Sequence, residues 1–577
     1  MSFAPPKWVA DSSEYRPDRY YRYDHLTELL QRWVSEHPTL LTIESIGTTF
    51  EGRDIWALTL TDQYTGGHDT KPAYYVDANI HAGEVTGVAT VLWLLNHVLT
   101  NAGSDPTITR LLAETTTYLI PAINVDGMER ILSGHPGDIR SSVRPFPHPE
   151  QQDGLVEEDV DGDGVIRAMR LKDPAGPWKA WDKDPRGMVK RGPAETGGDY
   201  YFLLPEGTIQ NWDGGTVKLA PPLLGLDANR NFPVDWGPHW EQSGAGEYPL
   251  SEPETRALAA FLVARPNIHG SQNFHTFSGA ILRSPTRYPE ADLPELDRNV
   301  FKAIGAMGTE ETGYPCISIF DDFAYDKKKA LKGGLLDWIY EQLGAYPFAT
   351  ELWSLPGKAG VEVTDFIGFF RNRPPETDAA MLKVLDDELG GEGFKLWTPF
   401  EHPQLGQVEI GGWDTVFTWQ NPPGPMLEEV TGPNAKFVLR AMGTAPKVEI
   451  RDARAESLGG DVYKVSAIIQ NTGYLPTYVS EQARKTPAFK PVRAEIAIGD
   501  GGEIISGTQE QDLGHLQGRA NQYDVLSWAG AFGIESRAKA EWVIKQSGGK
   551  VTITAGTPKA GTKTVQITLG KDRATAL

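Results

Sequence analysis

The sequence predicts an α/β domain followed by an antiparallel β-sandwich, and two observations support this division. Up to about residue 443, short apolar strands alternate with amphipathic helices, which is typical of an α/β domain. After about residue 445, helical patterns become rare and alternating strands are separated by turns that contain glycine. We therefore predict a first domain over residues 1–443 and a β-sandwich domain over residues 444–577.

The elements of the first domain follow from the spacing of its apolar residues. Strands are predicted over residues 55–61, 73–80, 117–120 and 348–351, and helices over 25–36, 84–99, 252–264, 294–307 and 434–442. Residues from about 128 to 225 are rich in glycine, proline, aspartate and tryptophan, so we predict an insertion without a core of its own. In the second domain, strands are predicted over residues 462–469, 494–498 and 551–555.

Composition argues against several classes of partner and site. The 577 residues carry 55 basic and 77 acidic side chains, and this net charge of −22 disfavours nucleic acid or an anionic membrane as partner. Cys316 is the only cysteine, so neither an intrachain disulfide nor a thiolate metal site can form. Neither a signal peptide nor an apolar run of membrane-spanning length is visible. We expect a cytoplasmic protein, although a mature secreted chain would look similar, and composition leaves the oligomeric state open.

His81 and Glu84 lie where a predicted strand ends and a predicted helix begins. An imidazole and a carboxylate three residues apart at a strand end can converge on one metal ion, and zinc favours nitrogen and oxygen donors of this kind. Most tetrapeptides of the form His-x-x-Glu are ordinary surface turns, so a third ligand is needed. His275, at the end of another predicted strand, is the best candidate, and His269 is a rival. A buried histidine bonded to a backbone carbonyl is the structural alternative for either residue.

Two further groups of polar residues suit catalysis. Asp227, Asn229 and Arg230 lie within four residues of one another, and Arg230 can bind a carboxylate with two hydrogen bonds. The alternative is a simple turn with an exposed arginine. Glu351 lies in an apolar strand pattern, where burial would raise its pKa toward that of a general base. Its alternative is a glutamate that faces solvent at a strand end.

Together these residues resemble the zinc carboxypeptidase family, typified by carboxypeptidases A and B. The likeness rests on His81, Glu84, Asn229, Arg230, His275 and Glu351 in this order, and on three motifs: Gly47-Thr48-Thr49-Phe50-Glu51-Gly52-Arg53, Asn124-Val125-Asp126-Gly127 and Gly333-Gly334-Leu335-Leu336-Asp337-Trp338. It covers residues 20 to about 360, apart from the insertion. The resemblance implies a mixed, mainly parallel sheet with helices on both faces, and a zinc-dependent hydrolase that removes C-terminal residues from peptides.

The resemblance also implies a role for each residue. His81, Glu84 and His275 would bind Zn²⁺, Asp227 would orient the first histidine, and Glu351 would be the general base. Asn229 and Arg230 would bind the free C-terminal carboxylate of a peptide substrate. An arginine should stabilise the oxyanion, and of Arg140 and Arg144 we favour Arg144 because an apolar residue directly precedes it.

The chain departs from the family pattern at three positions. Gly83 stands where many animal members carry an arginine. Lys329 occupies the position of the family's mobile substrate-capping tyrosine, and Tyr325 would substitute for it only if the loop is longer here. Leu336 occupies the specificity position at the floor of the pocket, where an acidic residue selects basic termini. This leucine predicts a preference for apolar or aromatic C-terminal residues.

An acidic loop suggests a second ion site. Asp159, Asp161 and Asp163, followed by glycines, match the first positions of a calcium loop, but Arg170 stands where the closing glutamate should be. This loop is predicted to be either a structural Ca²⁺ site or a solvated acidic turn.

Two other functions remain open at the level of sequence. The same fold and the same anchor would serve an N-acyl amino acid or cell-wall peptide hydrolase. An inactive binding protein that uses its β-sandwich for adhesion is disfavoured, because all the ligands and the base are present.

Overall fold

A mixed eight-stranded sheet forms the centre of the first domain. The computed structural model describes residues 5–520 and 534–570 and the backbone of 574–575. The strands lie in the spatial order Leu41–Thr48, Asp54–Leu60, Thr116–Ile120, Ala73–Ala78, Ile268–Thr276, Tyr346–Leu352, Ala280–Arg283 and Cys316–Ser318. Four neighbouring pairs are parallel and three are antiparallel. The predicted fold class is therefore confirmed, and the four predicted strands lie within this sheet.

Helices cover both faces of the sheet, and each face has its own apolar core. In the helix Tyr23–Glu36 the buried residues Leu26, Leu29, Leu30 and Trp33 follow helical spacing, which gives the helix one apolar side. The longer helices of the first domain are Tyr23–Glu36, Thr86–Asn101, Pro106–Glu114, Val125–Leu132, Pro253–Val263, Glu295–Thr312, Pro375–Leu389 and Leu427–Met442, and the shorter ones are Leu335–Trp338, Leu355–Lys358 and Phe366–Arg371. Among the described residues, every helix is too short or too polar to cross a lipid bilayer.

The last helix of the first domain is longer than predicted. It begins at Leu427 rather than at residue 434 and continues through Pro433. A proline lacks the amide hydrogen of an interior helical residue, so the sequence favours a start after it. The helix nevertheless extends because Leu427 and Val430 are buried in the same core as Val438.

The insertion contributes four strands to a small sheet whose apolar cluster it shares with a later part of the chain. Its strands Ala168–Lys172, Trp178–Ala180, Met188–Lys190 and Tyr201–Pro205 join Phe394–His402 and Gly406–Trp413 in one six-stranded sheet. A separate two-stranded antiparallel sheet pairs Gly154–Glu157 with Gly207–Gln210. It contributes to the apolar cluster of Leu155, Met169, Ile209, Val408 and Ile410. The two halves of the six-stranded sheet are about two hundred residues apart in the chain, so no local pattern reveals it.

The C-terminal part is an antiparallel β-sandwich, as predicted. One sheet has the order Glu503–Ser506, Arg537–Lys545, Val462–Asn471, Val448–Gly459 and Ala574–Thr575, and the other has the order Glu510–Asp512, Arg493–Ala497, Gly549–Thr557 and Gly561–Leu569. Alternate residues such as Val465, Ile469, Trp542 and Ile553 fill the core between the sheets. We propose the predicted division between residues 443 and 444, directly after the helix that ends at Met442.

The sandwich docks against the first domain through buried polar groups. Asp297 accepts hydrogen bonds from the Tyr340 and Tyr346 hydroxyls, at 2.7 and 2.8 Å. It also accepts the backbone amides of Glu481 and Gln482 from the sandwich, at 2.8 and 3.0 Å. The carboxylate thereby holds a loop of the sandwich against the strand that begins at Tyr346.

Lys559 makes a second contact between the two domains. It lies in a tight turn of the sandwich, is 3% exposed, and donates to the carbonyl oxygen of Ile268 at 2.6 Å. The Thr562 amide donates to the Thr70 carbonyl beside it, at 2.8 Å. The sandwich therefore holds the amino ends of two neighbouring strands of the central sheet, Ile268–Thr276 and Tyr346–Leu352.

We expect Lys559 to make stability depend on pH. Burial lowers the pKa of Lys559 to about 7. The unfolded chain therefore binds more protons at this site between about pH 7 and 10, and the free energy of unfolding should rise with pH in that window. In Lys559→Met this contribution is absent, so wild type should gain about 2 kcal/mol relative to the variant between pH 7 and 9. Urea unfolding at both pH values measures the difference, and the exposed Lys550→Met is the matched control. Parallel pH profiles for wild type and Lys559→Met would contradict this role.

Candidate active site

Three side chains from two parts of the chain converge at the carboxyl end of the sheet. His81 Nδ1 lies 2.8 Å from Glu84 Oε1, His275 Nδ1 lies 2.9 Å from Glu84 Oε2, and the two imidazole nitrogens lie 3.1 Å apart. All three residues are buried, with His81 and His275 each 4% exposed. The structure therefore brings together the three residues that the sequence proposed as metal ligands.

The loop that carries His81 and Glu84 is held by its neighbours in the fold. Asn79 adopts a left-handed backbone conformation with φ of 62°, and its side-chain amide donates to the Ala82 carbonyl at 2.8 Å. The Ala82 and Gly83 amides donate to the carbonyls of Arg140 and Ile139, at 2.9 and 3.1 Å. These contacts place the segment at residues 139–140 directly beside the metal-binding loop.

The sequence motifs at residues 47–53 and 124–127 support the metal-binding loop. Asp126 accepts hydrogen bonds from the Thr49 hydroxyl and the Glu51 amide, both at 2.8 Å, and from the Arg53 guanidinium at 2.6 Å. The Asn124 side-chain amide donates to the carbonyl of Ile80. The two motifs therefore pack together behind the strand end that leads to His81.

Opposing charges determine the protonation of the cluster. Burial would raise the pKa of Glu84, but the imidazoles of His81 and His275 outweigh this effect and hold it well below its usual range. Burial lowers the pKa of His275, and Glu84 offsets only part of that decrease. Burial and Arg140 act to lower the pKa of His81, but Glu84 and Asp227 outweigh them and raise it above its ordinary value. Without a metal ion the cluster therefore favours an ionised Glu84, a neutral His275 and a proton on His81, and a bound metal ion would replace that proton.

Asp227 supports the first histidine from behind. Its Oδ1 accepts from His81 Nε2 at 3.2 Å and from the Asn229 amide at 2.9 Å, and its Oδ2 accepts from Arg140 at 3.1 Å. Burial would raise the pKa of Asp227, but Arg140, Arg230 and His81 lower it well below its ordinary value. A carboxylate on Nε2 fixes the imidazole orientation and leaves Nδ1 facing the other ligands.

Arg140, and not Arg144, is the arginine beside the cluster, so the prediction of Arg144 was wrong. The guanidinium of Arg144 makes two hydrogen bonds to Glu252, at 2.7 and 3.1 Å, and is turned away from the ligands. The Arg140 guanidinium lies 3.3 Å from Glu84 Oε1 and lines the cavity beside the ligand cluster. The apolar residue before Arg144 reflects burial of Val143, which carries no information about the direction of the arginine side chain.

A cavity of about 450 Å³ opens beside the ligand cluster. Its polar wall includes Asn229, Arg230 and Glu351 as well as the three candidate ligands. The rest of the wall is mostly apolar and includes Leu336, as predicted, together with residues that the sequence did not single out: Phe277, Leu282, Ile319, Phe323, Leu331, Ala349 and Phe370. Tyr325 also lines this cavity and is 58% exposed.

Arg230 and Asn229 differ in how fully their polar groups are engaged. Asn229 Oδ1 accepts from the Leu335 amide at 2.9 Å, which ties it to the turn that precedes Leu336. The Arg230 guanidinium donates to the carbonyl of Asn229 at 2.7 Å and makes no ion pair within the described residues. Burial lowers the pKa of Arg230, and the nearby Asp227 counteracts the decrease. Most of its donors therefore remain available to a ligand in the cavity.

Glu351 lies next to His275 across a pair of parallel strands, because the register places these two residues opposite each other. Burial raises the pKa of the Glu351 carboxyl well above its ordinary value, and the neighbouring Glu84 adds to the rise. The side chain is partly exposed to the cavity. It is thus a carboxyl group with raised proton affinity on the wall where a substrate would lie.

Two sequence candidates are not part of this site. His269 is 1% exposed, packs against Tyr74, and lies at the other end of the strand that carries His275. The calcium prediction is not supported, because the loop carboxylates have other partners. Asp159 accepts backbone amides of its own loop, and the Lys395 ammonium pairs with both Asp161 and Asp163.

Comparison with known proteins decides the family. A family model described as zinc carboxypeptidase matches residues 26–359, more than half of the chain. The chain belongs to the zinc carboxypeptidase family. A second model, described as a domain of unknown function, matches residues 447–568.

Several curated relatives of this zinc carboxypeptidase family member are carboxypeptidases A by name. Carboxypeptidase A2 from Rattus norvegicus is 36% identical over 350 residues, which cover 58% of this chain and 63% of that protein. Carboxypeptidase A1 from Rattus norvegicus is 23% identical over 342 residues, covering 58% and 62%. A solved carboxypeptidase A from Helicoverpa armigera aligns at 17% identity and a TM-score of 0.39, covering 65% and 75%. The chain thus spans less than two thirds of the length of the curated relatives.

The residues present fit the zinc that the family implies. Two imidazole nitrogens 3.1 Å apart repel each other unless a cation or proton lies between them, and the Glu84 carboxylate completes a nitrogen and oxygen donor set. His81, Glu84 and His275 would hold the ion, and Asp227 would support His81. Three protein ligands are the set that a catalytic zinc ion would take, and all three line the cavity.

We expect substitutions at the candidate ligands and at Asp227 to weaken zinc binding by different amounts. Wild type should bind one Zn²⁺ per chain, and Glu84→Gln should lose it because a charged ligand is removed. Asp227→Asn should weaken binding by about 10- to 100-fold, since it only supports a ligand. Zinc content after dialysis against graded chelator measures both effects. The exposed His148→Ala is the control, and full zinc retention by Glu84→Gln would refute the ligand set.

Proposed function

We propose that the protein is a zinc metallocarboxypeptidase that hydrolyses the C-terminal peptide bond of peptides and prefers apolar or aromatic C-terminal residues. One observation supports this most directly. The candidate metal ligands, Glu351 and the unpaired Arg230 share the wall of one largely apolar cavity. An enzyme that cleaves at a chain end needs this combination, because the anchor for the free carboxylate must lie one residue away from the reacting group.

Arg230 and Asn229 would bind the terminal carboxylate. The guanidinium has free donors and lies in a buried setting, where a charge-assisted hydrogen bond is stronger than in water. The turn at Gly333 and Gly334 packs against the backbone of these two residues and fixes their position. A substrate that lacks the carboxylate would leave Arg230 buried without a partner, which is energetically costly.

Leu336 and its neighbours would bind the side chain of the terminal residue. Leu282, Ile319 and Phe323 line the same wall, and the acidic residues among the described cavity residues are Glu84 and Glu351, which belong to the proposed metal site and base. A basic terminal side chain would lose its hydration there without gaining a counter-charge, whereas an aromatic or aliphatic one would bury apolar surface.

Glu351 would act as the general base and then as the proton donor. Its raised pKa allows it to take a proton from an attacking water molecule and to deliver that proton to the leaving amine. When bound, zinc supplies Lewis-acid chemistry that polarises the scissile carbonyl and acidifies water. Arg140, held beside Glu84 and Asp227, would donate hydrogen bonds to the negative charge that develops on the carbonyl oxygen. Tyr325 would cover the bound terminus.

An N-acyl amino acid or cell-wall peptide hydrolase is the second candidate. These substrates also carry a free carboxylate, so the availability of Arg230 favours them equally. They differ from peptides in the acyl half, which lies on the other side of the scissile bond from the terminal residue.

We expect Glu351→Gln to retain zinc and lose hydrolysis. The amide keeps the shape of the side chain but cannot accept the proton, so kcat should fall by about 10²- to 10⁴-fold. Hydrolysis of N-blocked dipeptides that end in phenylalanine, measured beside zinc content, tests this. Glu362→Gln, an exposed glutamate, is the matched control. Full activity of Glu351→Gln would show that another group is the base.

We also expect the enzyme to require a free C-terminal carboxylate. Amidated peptides should have a kcat/KM at least about tenfold lower than the free acids, because the anchor is lost. Arg230→Gln should reduce the difference in kcat/KM between free acids and amides, because it lowers kcat/KM only for the free acids. Among free acids, phenylalanine and leucine termini should be cleaved faster than lysine or aspartate termini. Equal cleavage of acid and amide would argue against a carboxypeptidase.

A further inference from the structure

A segment outside the region matched by the zinc carboxypeptidase model is fastened to the metal-binding loop. Asn421 is fully buried, and its side-chain amide donates to the Gly83 carbonyl at 2.7 Å. Its side-chain oxygen accepts the Thr86 amide and hydroxyl, at 3.0 and 2.8 Å. The π-helical turn Thr415–Gln420 directly before it is therefore held against the loop that carries His81 and Glu84.

This arrangement explains why a glycine stands between the two ligands. A Cβ atom on Gly83 would lie 1.8 Å from Asp138 Oδ1 and 3.3 Å from Gln420 Nε2. Asp138 and Gln420 thus fill the space in front of the metal loop that a larger side chain would occupy.

The position of these two residues assigns them to one side of the cleft. Residues of the apolar cavity would surround the terminal residue of the substrate, between the ligands and Arg230. Asp138 and Gln420 are not part of the cavity wall. The ring of Phe277, which is part of it, packs against Trp419 with centroids 5.3 Å apart. The wall therefore continues past the ligands through Trp419 to Gln420, along the path that the acyl half of a substrate must follow.

Asp138 brings to this path a carboxylate that has no ion pair of its own among the described residues. Its side chain is exposed. Arg140 is close, but its guanidinium already donates to Asp227 and Glu84. A carboxylate in this position gains a partner when a positively charged group of the substrate enters.

We propose that Asp138, together with Gln420, forms a subsite that binds an ammonium group on the acyl side of the scissile bond. This inference rests on the proposed function, since it specifies the substrate of the same site. The ammonium group has two sources: the free α-amino group of a dipeptide, and the side chain of lysine as the penultimate residue of a longer peptide. Asp138 is thus a specificity-determining residue, and the segment around Asn421, which lies beyond the family match, positions its surroundings.

Two matched substrate pairs separate these sources. Ala-Phe against N-acetyl-Ala-Phe varies only the α-ammonium group, and N-acetyl-Lys-Phe against N-acetyl-Met-Phe varies the side chain at nearly constant size. Wild type should prefer the ammonium substrate of at least one pair, by roughly tenfold to a hundredfold in kcat/KM. Asp138→Asn should remove that preference and leave kcat/KM for N-acetyl-Ala-Phe within about twofold of wild type, as expected when one charge-assisted contact is lost. Asp182→Asn, an exposed residue of the insertion, is the control.

The outcomes separate failure of the subsite from failure of the proposed function. If wild type cleaves N-acetyl-Ala-Phe but shows no preference within either pair, the subsite is refuted and the carboxypeptidase activity stands. If Asp138→Asn lowers kcat equally for every substrate while zinc is retained, Asp138 acts through Arg140 and the subsite is again refuted. If wild type cleaves none of the four substrates, the proposed function fails, and the inference fails with it.

Discussion

The meeting of Glu84 with the imidazoles of His81 and His275 is the constraint on which the rest of the site depends. Three polar groups with 4% exposure or less are costly to bury unless they are paired. Two of them are also fixed from outside, His81 by Asp227 and Glu84 by Arg140, and Asn79 holds the loop between these two residues. The same contacts that support the ligands also bring Arg140 and Arg230 to the cavity.

The sheet supplies the precision that a metal centre needs. His275 and Glu351 lie opposite each other on adjacent parallel strands, so the backbone register sets their spacing. The amino ends of these two strands are held by the β-sandwich, through Lys559 at Ile268 and through Asp297 beside Tyr346. The described residues of the sandwich include no candidate catalytic group, but they restrain the two strands whose opposite ends carry the candidate ligand His275 and the candidate base Glu351.

Segments beyond the family match shape what the centre can accept. Asn421 fastens the turn Thr415–Gln420 to the carbonyl between the two ligands, and the aromatic contacts of Phe277 and Trp419 join that turn to the cavity. Under the proposed function, this turn would act on the acyl half of the substrate and leave the anchor at Arg230 unchanged.

The sequence alone determined the fold class, the β-sandwich and the residues of the ligand group, because apolar periodicity and short motifs are local properties of the chain. It could not decide between Arg140 and Arg144, since the direction of each side chain depends on distant partners, Asp227 and Glu252. The core of the insertion depends on strands two hundred residues away. Likewise, only the tertiary structure showed that Asp138 and Gln420 occupy the space in front of Gly83, because long-range packing brings three separate segments to one point.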